Sequence, residues 1–100
     1  MNDITTTIAR QFTWTERVPS DAGTVEFDGI IVLDRTDDGA WEVGDNGAGH
    51  HVTTDPADAL RTYASFFEYA IDGAREEGLE ALAERMEAEV ARALADAEAL

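Results

Sequence analysis

The chain has 100 residues and contains neither cysteine nor lysine. The absence of cysteine excludes disulfides, thiolate zinc sites and a cysteine nucleophile. In the absence of lysine, arginine supplies all seven basic residues, against 22 aspartates and glutamates, and the formal net charge is -15 at pH 7. So negative a surface repels nucleic-acid phosphate and anionic membranes, so we expect no direct binding to nucleic acid and no membrane partner.

Long apolar runs are absent as well. No run approaches the roughly 20 residues that a membrane-spanning helix needs, and the first residues lack the basic region and apolar core of a signal peptide. We therefore expect a cytoplasmic protein. Hydrophobic residues still make up 44% of the chain, too large a share for a disordered acidic tail, so a packed core is expected. The length predicts one domain over 1–100.

The hydrophobic pattern changes its period near Thr54. Residues before it alternate with period two, and residues after it follow a helical period, which predicts a β-meander over 1–54 and a helical pair over 55–100. The predicted β segments are a strand over 4–14, a loop over 16–23, a strand over 24–34, a strand over 40–43 and an optional short strand over 50–53.

Asp55 and Pro56 mark the start of the first helix as N-cap and first helical residue. Gly73 is predicted to end that helix, and a second helix is predicted from about Arg75 to the C-terminus. The expected fold class is therefore α+β, an antiparallel β-meander of three or four strands followed by two α-helices packed on one face.

The second helix would be roughly 35 Å long and would overhang so small a sheet. Such an overhang favours a partner, and we expect a homodimer formed through the apolar stripe of this helix. The residues predicted for self-association are Leu82, Met86, Val90 and Leu94.

Acidic residues follow the other side of the same segment. The predicted partner-binding face consists of Glu76, Glu77, Glu80, Glu84 and Glu87. Two interpretations stay open. In the first, the charge keeps the protein solvated at high salt or reflects genome composition. In the second, the charge imitates nucleic acid and attracts a basic nucleic-acid-binding protein.

Asp34 to Asp45 can be aligned with a twelve-residue calcium loop, with Asp34, Asp38, Glu42 and Asp45 at ligand positions. The loop departs from the motif because aspartate stands where a bidentate glutamate belongs and because strands flank it. A polar hairpin turn is therefore the favoured interpretation, and no metal is assigned. The adjacent His50 and His51 are predicted to be exposed loop residues that cannot share one ion, since neighbouring strand residues point to opposite faces.

No constellation in the chain predicts catalysis or a cofactor. Ser20 and Ser65 lack the context that exposes a serine nucleophile, and Trp14 and Trp41 are predicted to be core or sheet-face residues. We expect a small, acidic, non-enzymatic protein-binding or assembly module that self-associates through its C-terminal helix. The alternatives are a nucleic-acid-mimicking inhibitor of a DNA-binding or DNA-cutting enzyme, of the anti-restriction or anti-CRISPR type, and a weak calcium- or ligand-binding domain.

Overall fold

The computed structural model describes residues 8–45 and 50–100. Within these ranges the elements are β1 Arg10–Ser20, β2 Gly23–Arg35, β3 Trp41–Asp45, β4 His50–Thr53, α1 Pro56–Ser65, α2 Phe67–Glu76 and α3 Glu80–Glu98. The strands form one antiparallel sheet in the order β1-β2-β3-β4, and the helices follow the sheet in the chain. This arrangement confirms the predicted α+β fold and its fourth strand.

The first hairpin is longer than the sequence predicts. β1 continues to Ser20 through most of the segment expected to be a loop, and Ser20 pairs with Gly23 across a two-residue turn. Pro19 is tolerated there because β1 is an outer strand, where a missing N–H need not break the ladder. At its other end β1 begins at Arg10, after the buried Ile8. Residues 4–7 of the predicted strand lie outside the described residues.

One face of the sheet carries the core. Trp14 and Trp41 are 9% and 4% exposed, which confirms their prediction as core residues. The Phe12 and Phe67 rings meet edge to face at 5.3 Å and join the sheet to the helices. The largest fully buried side chains are Ile8, Ile31, Leu33, Val43, Leu60, Tyr63, Phe67, Leu82 and Met86.

The first helix begins as predicted. The Asp55 carboxylate accepts a hydrogen bond of 3.0 Å from the Ala57 N–H, and Pro56 is the first helical residue. The helix is interrupted at Phe66, which separates α1 from α2. No helix among the described residues is both long and apolar enough to span a bilayer.

The predicted boundary between the helices is wrong. Gly73 lies inside α2, Arg75 belongs to α2, and α3 begins at Glu80. A Cβ at Gly73 would stand 3.3 Å from the Phe27 ring, so this glycine allows the sheet and the helix to approach closely. The break falls at Gly78, whose φ of +78° suits glycine and ends the helical path.

Candidate protein-binding surface

The predicted acidic face surrounds the α2–α3 turn, and it does not form one row on one helix. Glu76 is the last residue of α2 and Glu77 lies in the turn, whereas the other three residues lie on α3. Because Gly78 breaks the helix between them, the continuous row expected from the sequence is not formed. All five side chains are nevertheless exposed. We call this set, Glu76, Glu77, Glu80, Glu84 and Glu87, the acidic surface.

A single arginine neutralises part of the acidic surface. Arg75 Nη2 lies 2.6 Å from Glu87 Oε1, and Arg75 Nε lies 3.4 Å from Glu80 Oε2. The hydrogen bond to Glu87 raises the pKa of the Arg75 guanidinium. Among the described residues, no cationic side chain lies within 4 Å of the carboxylates of Glu76, Glu77 or Glu84. These three carboxylates are the unneutralised part of the acidic surface.

The predicted self-association stripe lies partly inside the protein. Leu82 and Met86 are 2% and 0% exposed and belong to the core of this chain, so they are not available to a second copy. The reason is that α3 directs this part of its apolar face towards α1 and α2. Val90 is partly buried, and Leu94 is 41% exposed.

Val90 and Leu94 line a groove of about 240 Å³ between α3 and the α1–α2 segment. Ala64 and Ile71 supply the opposite apolar wall. This groove is the part of the predicted stripe that a second molecule can reach.

A second concave site combines residues that were not grouped in the sequence analysis. It has a volume of about 230 Å³, and its lining includes Trp14, Phe27, Phe66 and Tyr69 together with two aspartates, Asp28 and Asp45. We call it the aromatic pocket. The sequence does contain one indication of this pocket, because Phe66 and Tyr69 lie off the apolar stripe by which the helical segment faces the core. Only the fold brings them to Trp14 and Phe27.

The calcium-loop alignment is not supported by the geometry. Asp34 and Glu42 lie opposite each other in β2 and β3, and Asp45 pairs with Ile31, three residues further along the ladder from Asp34. Three residues of strand span about 10 Å, too far for one ion. Among the described residues, no three histidine, aspartate or glutamate side chains are grouped to hold a metal.

The segment between β2 and β3 is a polar hairpin turn instead. The Thr36 hydroxyl donates a hydrogen bond to the Asp38 carboxylate, and this bond lowers the pKa of Asp38. The Gly39 N–H donates to the Thr36 carbonyl at 3.1 Å. Asp38 thus stabilises the turn.

The two histidines lie on β4 and not in an exposed loop, which corrects the prediction. His51 Nε2 lies 3.0 Å from Asp58 Oδ2, at the start of α1, and this hydrogen bond lowers the pKa of Asp58. His50 Nε2 lies 3.3 Å from Glu42 Oε2 on β3. Each histidine therefore contacts a different carboxylate, and the pair joins β4 to its two neighbouring elements.

A polar cluster that joins α1 to α3 was not predicted. The Tyr63 hydroxyl donates to Glu89 Oε2 at 2.7 Å, and Arg92 donates to Glu89 Oε1 through Nε at 3.0 Å and Nη2 at 2.9 Å. Glu89 is only 8% exposed. Burial, followed by the Glu89 carboxylate, raises the pKa of Tyr63 far above its ordinary value. The sequence held a signal, because Glu89 falls three residues after Met86 on the apolar stripe of α3.

Comparison of the chain with models of known protein families, with curated proteins and with solved structures finds no match. We therefore infer the function from the geometry of the two concave sites and the acidic surface.

Proposed function

We propose that the protein is a non-catalytic module that binds a positively charged protein partner through its acidic surface. The observation that carries the proposal is the exposure of Glu76, Glu77 and Glu84 with no cationic side chain of the described residues within 4 Å of their carboxylates. On a chain of net charge -15, such a patch attracts a basic protein over a distance and speeds the encounter.

Binding without catalysis is the better proposal because the two most deeply buried ionisable side chains among the described residues, Tyr63 and Glu89, contact each other. Tyr63, Glu89 and Arg92 form one hydrogen-bonded set, in which the charge of Glu89 is matched by Arg92. A general acid or base needs instead a titratable group within reach of a substrate. These residues hold α1 and α3 together.

The experiment is affinity capture with a tagged protein at increasing salt. The test variant replaces Glu76, Glu77 and Glu84 by glutamine, which removes three charges and no ion pair seen in the structure. We expect the wild-type protein to retain arginine- and lysine-rich proteins that salt releases, and the variant to lose them. Release by competitor DNA would identify the partner as a nucleic-acid-binding protein and would support mimicry.

A matched control removes three charges elsewhere. Asp21, Glu26 and Glu98 are exposed, and no cationic side chain of the described residues lies within 4 Å of their carboxylates. The control variant D21N/E26Q/E98Q should retain the partners. Equal loss from both triple variants would mean that only the overall charge matters, and it would contradict a specific acidic surface.

Self-association is the second candidate, and the groove lined by Val90 and Leu94 favours it. Leu94→Glu places a charge in the groove at an exposed position, so the fold should be unaffected. We expect the wild-type protein to sediment as a dimer in molar salt, where repulsion between copies is screened, and Leu94→Glu to sediment as a monomer. Val52→Glu, at a 50% exposed position on β4, is the control. A monomeric wild-type protein at all salt concentrations would contradict this candidate.

A further inference from the structure

The aromatic pocket is formed by residues of three strands and of the α1–α2 junction. Among the described residues, β3 pairs with β2 from Ile31 to Arg35, and β1 pairs with β2 from Gly23 to Leu33. α2 passes beside the β1–β2 hairpin, and Gly73 of α2 lies against Phe27. The recess lies between Asp45 of β3, this hairpin and the helix.

The wall of the recess on the sheet side is preformed. The Trp14 and Phe27 rings are 6.4 Å apart and inclined by 38°. The Trp14 indole lies directly against Gly29, where any Cβ would collide with it. Because Gly29 has no side chain, the Trp14 indole packs directly on the β2 backbone. The ring is therefore held in place by its neighbours without a ligand.

The helical side of the recess presents an unusually exposed ring. Tyr69 is 91% exposed, more than any other large apolar side chain among the described residues. Phe66, three residues earlier at the α1–α2 junction, is partly buried in the same pocket. An aromatic ring left in water at the mouth of an aromatic recess is suited to covering a ligand.

The charge of the recess favours a cation. Asp45 is the exposed last residue of β3 and lines the pocket, and Asp28 borders it from β2. Aromatic faces carry negative electrostatic potential and attract cations within about 6 Å of the ring centre. An anion would meet the carboxylates and the negative ring faces together.

The size of the recess favours a single side chain. Its volume of about 230 Å³ is below the roughly 300–1,000 Å³ typical of pockets for small molecules and cofactors. Among cationic side chains, arginine fits this chemistry best, because its planar guanidinium stacks on rings and pairs with a carboxylate at the same time.

We propose that the aromatic pocket receives an arginine side chain of the basic partner, stacked on Tyr69 and paired with Asp45. This inference rests on the proposed function and names the contact that would give the acidic surface its specificity. The acidic surface attracts any basic protein, whereas the pocket selects one that presents an arginine.

The test uses a short capped peptide with one arginine between glycine and serine residues. Two matched peptides replace the arginine by lysine or by citrulline, which keeps the shape and removes the charge. Binding to the full chain is followed by NMR titration. We expect shifts confined to the pocket, tighter binding of the arginine peptide than of the lysine peptide, and no binding of citrulline. Equal binding of the citrulline peptide would overturn the proposal.

Variants separate the ring from the charge. Tyr69→Leu keeps an apolar side chain but removes the ring, and it should weaken arginine binding about 3- to 10-fold, while Tyr69→Phe should bind as the wild type does. Asp45→Asn should also weaken binding several-fold. Asp37→Asn, the same change in the β2–β3 turn, should not. Thermal unfolding verifies that each variant folds. Wild-type affinity in both Tyr69→Leu and Asp45→Asn would refute the pocket.

Tetramethylammonium chloride serves as the small-cation arm. Tighter binding of this ion than of the arginine peptide would mean that the pocket holds a free quaternary ammonium, and it would overturn the assignment to a protein side chain.

The proposed function and the arginine pocket can be contradicted independently of each other. Loss of partner in the Glu76, Glu77 and Glu84 variant together with retention in Tyr69→Leu leaves the acidic surface and removes the pocket. The reverse pattern removes the proposed function and leaves an arginine pocket.

Discussion

Tyr63 and Glu89 show how a buried charge is tolerated in this small core. Glu89 interrupts the apolar stripe of α3, but Tyr63 and Arg92 each donate to one of its carboxylate oxygens. A hydrogen bond to a charged group contributes about 1.5–3 kcal/mol, and removing the donor leaves the acceptor buried without a partner. The cluster therefore stabilises the contact between α1 and α3 only while it is complete.

Tyr63→Phe should accordingly lower the free energy of unfolding by about 1.5–3 kcal/mol, because Glu89 Oε2 loses its donor. Urea unfolding followed by circular dichroism measures the change. Tyr69→Phe, the same substitution at an exposed position, is the control and should cost almost nothing. A loss smaller than about 0.5 kcal/mol in Tyr63→Phe would mean that water replaces the donor.

Asp58 makes the stability depend on pH in a known direction. Its pKa is lowered mainly by the hydrogen bond with His51, and in the unfolded chain it returns to about 3.9. A carboxyl group whose pKa is lower in the folded state contributes stability above its unfolded pKa, and this contribution is lost as the pH falls through the folded value.

We therefore expect Asp58→Asn to be less stable than the wild type at pH 6 and the difference to shrink below about pH 4. Urea unfolding of both proteins at a series of pH values measures the difference in the free energy of unfolding and its change with pH. Asp37→Asn should show no such convergence. A difference that stays constant from pH 6 to pH 3 would show that the His51–Asp58 contact does not act through the charge of Asp58.

At the scale of the elements, local sequence signals predict where a helix begins better than where it ends. Asp55 and Pro56 determine the beginning of α1 through chemistry confined to three residues. For the end of the helical segment, the sequence rule predicts Gly73, whereas the structure breaks the helical path at Gly78. The packing of Phe27 on Gly73, which decides between them, involves residues 46 positions apart in the chain. The loop predicted around Pro19 is wrong for a different reason, because pairing with Thr24 across the hairpin outweighs the preference of proline for a turn, and β1 is an outer strand.

Gly78→Ala should lower the free energy of unfolding by about 1–2 kcal/mol, because alanine is strained at a φ of +78°. Gly73→Ala is the comparison. Alanine there gains helix propensity of about 1 kcal/mol, which offsets the crowding against Phe27. Chemical denaturation of the two variants should place Gly78→Ala below Gly73→Ala in stability. The opposite order would mean that Gly73, and not Gly78, sets the path of the chain.

At the scale of the whole molecule, the acidic residues were predictable from the sequence and their pairing was not. The five glutamates of the acidic surface could be named, but the position of Arg75 between Glu80 and Glu87 depends on the angle at which α3 leaves the turn. The aromatic pocket is even harder to predict from the sequence. Its lining residues come from three strands and a helix junction, and they are spread along the chain from Trp14 to Ala70. No periodicity in one segment encodes such a site.

The net charge of -15 predicts that salt stabilises the whole molecule. Repulsion among carboxylates opposes the compact state, and the Debye length falls from about 10 Å at 0.1 M salt to about 3 Å at 1 M. The melting temperature should therefore rise with potassium chloride, and the rise should be smaller in the Glu76, Glu77 and Glu84 glutamine variant. Sucrose, which favours burial without screening charge, should stabilise both proteins equally.

In low salt the same variant should be more stable than the wild type, because three negative charges are removed from a strongly acidic chain and no ion pair between described residues is lost with them. If it is also the variant that loses the partner, the acidic surface lowers stability and supports binding, as expected of a functional site. A variant with the melting temperature of the wild type at every salt concentration would show that these carboxylates do not repel one another appreciably. The salt response would then have to come from charges elsewhere on the chain.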